Sequence, residues 1–351
     1  MHSLIKISKY AGAREDLIQA GGGNTSVKLL KDKMLIKSSG YQLTEVTSEA
    51  GFSEINTTLV VEYLEKALSS TEEECDILEK EALSRSLISG QRPSIETFLH
   101  AVTDKVTLHT HPVVVNILVS QEKGFDKLKQ LFPKALYIDY ATPGIKLAKL
   151  YYQAFKEKQE GTDTRIIFLR NHGLIVSGSS AEEVIDLNET VITKIANYLK
   201  CNNNGYSIGS LIQGVFPEID GMEDKICYYS KNKEILQYMS QRRIEEFNHA
   251  ICPDSIVYCG KKVLFIQDIA NVKEEIKNHI QHAGMPNVII FKENVYLVAN
   301  TVRKAKEIES LLAFTMEVLL FNQNEKVLYL SEQEQDFLLN WDSEKYRKNM
   351  K

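Results

Sequence analysis

Three histidines in two short motifs have the residue types and spacing of a metal site. His109 and His111 stand two apart in a segment typical of a strand, so their side chains project to one side, roughly 7 Å apart at the backbone, while Thr110 projects to the other. Taken alone, such a pair is more often structural. A third histidine, His172, stands at a turn within Arg170–Asn171–His172–Gly173. Three imidazole nitrogens would hold a divalent ion, most naturally Zn²⁺, and leave one position open for a substrate.

Glu96 is the candidate acid/base. The sequence predicts a helix that opens at Pro93–Ser94, with Glu96 in its first turn. Its apolar residues share one face: Ile95, Phe98, Leu99 and Val102. Proton transfer near neutral pH would require partial desolvation to raise the pKa of this carboxyl group. The alternative is a carboxylate that only interacts favourably with the helix N-terminus. His100, one turn further on, is interpreted as a hydrogen-bonded structural histidine rather than as a support for Glu96.

Three segments could present backbone N–H groups and small hydroxyls to an anion. They are Gly22–Gly23–Asn24–Thr25–Ser26, Lys37–Ser38–Ser39–Gly40 and the helix start at Ser94. Phosphates bind where glycine lets the backbone approach closely and where helix N-termini offer unpaired donors. None of the three has the spacing of a GxGxxG or Walker A loop, so the sequence gives no support for nucleotide binding of those kinds.

The elements that must position these residues form one large domain. A helix is predicted over residues 3–19, ended by the glycine run at 21–23, and a strand pair over 26–30 and 34–38. Further strands are predicted at 106–111, 136–140, 165–169 and 174–176, and a helix from Ser180 to about Lys200. The polar stretch Cys201–Asn202–Asn203–Asn204–Gly205 is typical of a linker. We therefore expect domains at residues 1–205 and 206–351.

The C-terminal part is predicted to be a smaller α+β domain. A hairpin over 256–266, turning at Gly260–Lys261, would precede a helix over 272–281. A second hairpin over 288–298 would precede a helix over 302–320. The two units are alike in layout, which suggests a weak internal duplication.

Composition limits the partners of the protein. The formal net charge is −5, with 42 basic residues among 351, which indicates no nucleic-acid or anionic-membrane surface. The N-terminal residues MHSLIKISKYAG lack a secretion signal, and no window is apolar enough to span a membrane, so we expect a cytoplasmic protein. Five cysteines without a CxxC pair fit neither a disulfide framework nor a zinc ribbon.

Six ordered motifs together resemble the class II aldolase/adducin family. They are GGGNTSVK at 21–28, IKSSG at 36–40, PSIETFLH at 93–100, HTHP at 109–112, DYATPG at 139–144 and RNHGLIVSG at 170–178. The sequence is similar above all to the aldolase half of bacterial proteins in which a rhamnulose-phosphate-aldolase-like region is fused to a short-chain dehydrogenase. Cys252–Pro253–Asp254 and the ending around Trp341 to Tyr346 extend that similarity into the C-terminal part.

The resemblance implies a fold and a site. The fold is a class II aldolase/adducin-like α/β three-layer architecture with a central, mostly antiparallel sheet, followed by the smaller C-terminal α+β domain. The implied metal ligands are His109, His111 and His172, and Glu96 is the catalytic carboxylate. Positions implied to hold the substrate phosphate and enediolate are Gly23, Asn24, Ser39, Gly40 and Ser94. Ile95 departs from the family, because some phosphate-using members have a small hydroxyl residue there.

The implied activity is reversible retro-aldol cleavage of a ketose, expected to be a ketose 1-phosphate, through a metal-stabilised enediolate. The partner is thus a small sugar or sugar phosphate, and the resemblance implies a homo-oligomer, commonly a tetramer. Three alternatives stay open: a sugar-phosphate epimerase, a dehydratase or decarboxylase on the same metal site, and a non-catalytic adducin-like binding protein. Family epimerases carry an acidic and histidine pair near the region that is Asp139–Tyr140–Ala141–Thr142 here, and the pair is absent from this sequence.

Overall fold

A computed structural model describes residues 1–30, 32–241, 250–322 and 327–340. The motif around Trp341 to Tyr346 lies outside these residues. The chain divides into two compact units, Met1–Asn203 and Asn204–Lys351. No helix among the described residues is long and apolar enough to cross a bilayer.

The first unit is built on an eight-stranded sheet. Its strands are β1 (Asn24–Leu30), β2 (Lys33–Lys37), β3 (Phe52–Asn56), β4 (Leu87–Gly90), β5 (Val106–Thr110), β6 (Ala135–Ile138), β7 (Asp163–Leu169) and β8 (Gly173–Gly178). They follow the order β4-β3-β2-β1-β5-β8-β7-β6. Only the β6–β7 pair is parallel among these neighbours. The expected mostly antiparallel sheet is confirmed.

Helices cover both faces of this sheet. They are α1 (His2–Gly12), α2 (Thr57–Ala67), α3 (Glu72–Ser86), α4 (Thr97–Ala101), α5 (Val113–Val119), α6 (Gly124–Leu131), α7 (Ile145–Lys156) and α8 (Ala181–Leu199). Successive strand residues alternate between two apolar clusters: Ile166 and Phe168 pack with the cluster of α1, α5 and α8, while Ile167 packs with that of α2, α4 and α7. The unit is therefore the three-layer α/β architecture that the family resemblance implied.

The N-terminal helix is shorter than predicted. It ends at Gly12, whereas the sequence suggested a helix to residue 19. A Cβ atom at Gly12 would lie 2.8 Å from Cβ of Leu43, so the helix ends where the chain packs tightly against its neighbour. Leu17 and Ile18, which the helical pattern used, are instead buried in the segment that leads to β1.

The second unit has its own four-stranded sheet, in the order β10-β11-β12-β9. The strands are β9 (Ile226–Tyr229), β10 (Leu264–Ile266), β11 (Val288–Phe291) and β12 (Asn294–Ala299). The helices are α9 (Asn204–Gly214), α10 (Lys233–Gln241), α11 (Pro253–Cys259), α12 (Val272–Ala283), α13 (Val302–Phe321) and α14 (Glu332–Asn340). Two apolar clusters involve the strands of this sheet. A smaller α+β unit is therefore present.

The hairpin predicted over 256–266 is wrong. Residues Pro253–Cys259 form α11, and β10 pairs in parallel with β11 instead of turning back on a preceding strand. The hairpin predicted over 288–298 is present as the antiparallel pair β11–β12. The suggested internal duplication required a hairpin followed by a helix in both segments, 256–281 and 288–320. Because the first of these segments contains no hairpin, the two segments do not share a layout.

Candidate metal centre

The three histidines come from two neighbouring strands. His109 lies within β5, His111 directly follows that strand, and His172 lies in the turn between β7 and β8. The pairing of β5 with β8 sets Thr110 opposite Leu174, so the β7–β8 turn lies beside the end of β5. The HTH motif and His172 are far apart in the sequence. The antiparallel register of β5 and β8 brings them together at one end of these two strands.

The imidazole nitrogens of these histidines converge. Nε2 of His109 lies 3.1 Å from Nε2 of His111 and 3.2 Å from Nε2 of His172. One donor atom from each of the three rings lies within 4.8 Å of the other two. Nitrogens bound to one zinc ion at about 2.0–2.1 Å in a tetrahedron would be about 3.3–3.4 Å apart. The donor set therefore fits a divalent ion after only small movements of the rings.

The rings of His109 and His111 are held in place by different neighbours. The Nδ1 atom of His109 lies 3.0 Å from the carbonyl oxygen of Leu174. That contact assigns the proton to Nδ1 and leaves the Nε2 lone pair for an ion. The ring of His111 lies between two glycines: a Cβ atom at Gly22 would be 2.9 Å from its Nδ1, and one at Gly173 would be 3.1 Å from its Cδ2. Side chains at either glycine would displace this histidine.

Glu96 lies in contact with two of the three histidines. Its Oε1 is 3.2 Å from Nε2 of His109 and 3.3 Å from Nε2 of His172. The helix that follows, α4, begins at Thr97 and not at Ser94, so Glu96 occupies the N-cap position rather than the first turn. Its own N–H donates to Oγ of Ser94 at 3.2 Å. The short helix therefore directs this carboxylate at the converging nitrogens.

The pKa of Glu96 shifts in the direction opposite to the one expected. Burial alone would raise it, but the charges and hydrogen bonds of His109 and His172 outweigh burial and hold the pKa well below its usual range. The same contact with Glu96 raises the pKa of His109 against the opposing effect of burial. Glu96 is therefore ionised in this site, and it would begin a reaction as a base.

The pKa of His111 is shifted in the opposite direction to that of His109. Burial and the nearby charges of His109 and His172 lower its pKa to about 3, so its ring is neutral at physiological pH. A neutral imidazole is the form that binds a metal ion. His111 thus needs no deprotonation before it can act as a ligand.

These shifts predict how metal binding responds to pH. The contact with Glu96 raises the pKa of His109, so its Nε2 holds a second proton at pH values where a free histidine has lost it, and a binding ion must displace that Nε2 proton. We expect metal affinity to rise as pH rises through that pKa, with release of up to about one proton per ion from this ring at pH values below it. Calorimetric titration in buffers of different ionisation enthalpy measures that number. Affinity that stays constant with pH would contradict the proton assignment.

His100 is a structural histidine in this fold. Its Nδ1 lies 2.7 Å from Oγ of Ser26 on β1. Burial lowers its pKa to about 3, so the ring is neutral. This hydrogen bond fastens α4, and with it Glu96, to the central strands.

Asn24 and Gly23 lie beside the histidines. The register of β1 and β5 sets Asn24 directly opposite His109, and opposed residues share one face of a sheet. Oδ1 of Asn24 accepts a hydrogen bond from the N–H of Thr25 at 2.9 Å. The side-chain amide nitrogen of Asn24 therefore points away from Thr25. Gly23 has φ +72°, and a Cβ atom there would lie 3.0 Å from the carbonyl oxygen of His109. The same Cβ atom would clash with Cδ1 of Ile18, so the left-handed backbone and these two close approaches are sufficient to explain the glycine.

The two remaining anion-binding candidates are adjacent to each other. An isolated bridge joins Ser38 to Pro93, and the N–H of Ser39 donates to the carbonyl oxygen of Arg92 at 2.9 Å. The Ser39–Gly40 loop and Ser94 therefore lie side by side, although the chain separates them widely. Because the N–H of Ser39 is already bonded, its hydroxyl is the donor that it could offer to an anion.

Lys37 was not predicted as a site residue. It lies at the end of β2 and is buried, which lowers its pKa, while the charges of Glu96 and Glu45 act to raise it. The sequence did contain a signal, because Lys37 lies two residues after Leu35 and should therefore share its inward face. A buried cation thus lies within the electrostatic reach of Glu96.

Comparison with known proteins identifies the family of the first unit. A sequence model of the Class II Aldolase and Adducin N-terminal domain matches residues 2–199. Comparison with curated proteins gives no match.

Solved structures are similar over rather more than half of this chain. The N-terminal class II aldolase domain of a conserved protein from Thermoplasma acidophilum is 26% identical, over 56% of this chain and 92% of that one, with a TM-score of 0.48. YgbL from Klebsiella pneumoniae, a putative aldolase/epimerase/decarboxylase, is 17% identical over 57% and 88%, with a TM-score of 0.40. L-fuculose-1-phosphate aldolase from Thermus thermophilus is 19% identical over 56% and 92%, with a TM-score of 0.37.

Proposed function

The chain belongs to the class II aldolase and adducin family, and on that premise we propose that it is a divalent-metal-dependent aldolase that reversibly cleaves a ketose 1-phosphate. His109, His111 and His172 would hold the ion, most naturally Zn²⁺. When bound, the ion supplies positive charge that stabilises the negative oxygens of an enediolate.

The observation that carries this proposal is the meeting of an ionised carboxylate with three converging imidazoles. Glu96 is buried and lies 3.2 Å from the nearest histidine nitrogen. A metal site of purely structural type has its coordination positions filled by protein atoms, whereas three nitrogens leave a position for substrate. In the bond-forming direction, ionised Glu96 beside that position can take a proton from the carbon next to the carbonyl of the ketone fragment, and in the cleavage direction the protonated carboxyl group returns it.

Other residues around the centre would bind and orient the substrate. Asn24, opposite His109, directs its amide nitrogen away from Thr25 and can donate to a developing oxyanion. Lys37 would contribute a buried positive charge within the electrostatic reach of Glu96. We place the phosphate of the substrate near the hydroxyls of Ser39 and Ser94, with Gly23 and Gly40 letting the backbone come close.

A panel of ketose 1-phosphates tests the proposed reaction. Metal-loaded protein is mixed with each sugar, and a coupled dehydrogenase reports the aldehyde that is released. We expect one member of the panel to release aldehyde at a rate that chelation abolishes and added metal restores.

The same panel separates the competing activities. Conversion of a sugar phosphate into its epimer without net aldehyde release would favour an epimerase. Failure of every member, despite a bound ion, would contradict cleavage of ketose 1-phosphates.

A further inference from the structure

A buried ionic cluster lies in the first unit without contacting the metal-binding nitrogens. Arg14 is 3% exposed and Asp16 is 8% exposed. The guanidinium group of Arg14 donates from Nε to Oδ1 of Asp16 at 3.0 Å and from Nη2 to Oδ2 at 2.7 Å. Its Nη1 contacts Glu189 on α8. A bidentate contact of this kind fixes the orientation of the two side chains as well as their separation.

The cluster joins two helices to the segment that follows α1. The hydroxyl of Tyr10, on α1, donates to Oε1 of Glu189 at 2.6 Å, and Nδ2 of Asn188 donates to that hydroxyl at 2.9 Å. Arg14 is thus held by α8, and it in turn holds Asp16. A chain of buried polar contacts fixes the turn at residues 14–18 against two helices.

The backbone of that turn holds the strand end that carries His111. The N–H of His111 donates to the carbonyl oxygen of Leu17 at 2.9 Å, and the N–H of Val113 donates to the carbonyl oxygen of Asp16 at 2.9 Å. The turn is closed internally by the N–H of Ile18, which donates to the carbonyl oxygen of Arg14 at 2.9 Å. The turn at residues 14–18 therefore holds the backbone both at His111 and just after Pro112.

His111 depends on its backbone more than His109 does. The ring of His109 has a hydrogen bond of its own, from Nδ1 to Leu174. The ring of His111 is placed by the position of its main chain and by close contact with Gly22 and Gly173. A shift of the turn at residues 14–18 would therefore move the His111 ring relative to the other two ligands.

We propose that the Arg14–Asp16 ion pair is a positioning element for the metal ligand His111. It acts through the two backbone hydrogen bonds from the turn, and this inference rests on the proposed metal centre. If the Arg14–Asp16 pair only stabilised the fold, its removal would change metal affinity no more than the removal of any other core contact. Groups that orient metal ligands typically change metal affinity by about 10–100-fold when they are removed.

Cobalt binding tests the proposal with a readout other than activity. Co²⁺ is titrated into wild-type protein and into Arg14→Met, and its visible absorption reports both affinity and ligand geometry. We expect Arg14→Met to bind Co²⁺ about 10–100-fold more weakly and with an altered spectrum. Arg14→Lys keeps the positive charge without the bidentate contact, so this variant should bind Co²⁺ with intermediate affinity. It replaces Arg14→Met in the test if Arg14→Met does not fold.

Two control variants separate positioning from stability. Arg165 makes the same kind of contact with Asp163 and Glu183, and Arg165→Met should leave cobalt binding unchanged. Leu64→Ala opens a cavity in the cluster on the face covered by α2, α4 and α7. It should lower the melting temperature but keep the wild-type spectrum.

The outcomes distinguish this inference from the proposed function. Wild-type cobalt affinity in both Arg14 variants, or equal losses in Leu64→Ala, would overturn the positioning role while leaving the metal centre intact. Wild-type protein that binds no Co²⁺ would overturn the metal centre and the positioning role together.

Discussion

Replacing His111 by alanine is expected to abolish metal-dependent activity and to weaken metal binding by about a hundredfold or more. Zinc sites with four protein ligands bind with apparent free energies of about 10–16 kcal/mol, so one ligand accounts for about 3 kcal/mol. His111 is one of only three nitrogens at this centre among the described residues. Elemental analysis after dialysis and competition with a chelating dye measure the loss.

A second histidine provides the control for this substitution. His282 is exposed in the second unit, with Nδ1 2.7 Å from the carbonyl oxygen of Asn278. His282→Ala should keep wild-type metal content and activity. A His111→Ala protein that retained its ion through dialysis would show that His111 is not a ligand.

Replacing Glu96 by glutamine is expected to keep the metal and to lower turnover by about 10²–10⁴-fold. General acid–base groups contribute rate factors of that size, and glutamine has nearly the same shape but cannot accept the proton. Deuterium incorporation from solvent into the released ketone fragment measures the proton transfer directly. We expect this exchange to fall together with turnover while metal content stays at the wild-type level.

Glu45 offers a matched carboxylate for comparison. Both Glu45 and Glu96 act on the pKa of Lys37, but the contacts with His109 and His172 belong to Glu96. Glu45→Gln should therefore leave exchange unchanged. Full exchange in the Glu96→Gln protein would show that another group moves the proton.

The sequence predicted the architecture of the first unit well because its signals are local. Two short strand-forming runs close together in the sequence predict the antiparallel neighbours β1 and β2, and the ordered motifs imply the family, which is confirmed. The hairpin at 256–266 failed for a local reason as well. Gly260 has φ +83° and follows the last residue of α11, so this glycine ends a helix, although glycine before lysine is equally typical of a hairpin turn.

The electrostatics of the site could not be predicted from local patterns. The proposed chemistry led to the expectation of a partly desolvated Glu96 with a raised pKa, but its pKa depends on His109 and His172, which other elements bring to within 3.3 Å. Lys37 was considered only as part of an anion-binding loop, and its buried charge was not predicted, because lysines are mostly exposed. The histidine motifs were recognisable because a strand fixes the spacing of His109 and His111 by itself.

Metal content of the wild-type protein tests the central claim most directly. The protein is exposed to excess Zn²⁺, dialysed at about pH 7.5 against metal-free buffer, and analysed for bound metal per chain. The convergence of His109, His111 and His172 predicts about one ion per chain. Protein that retains no ion, while folded by its circular dichroism spectrum, would contradict the metal centre.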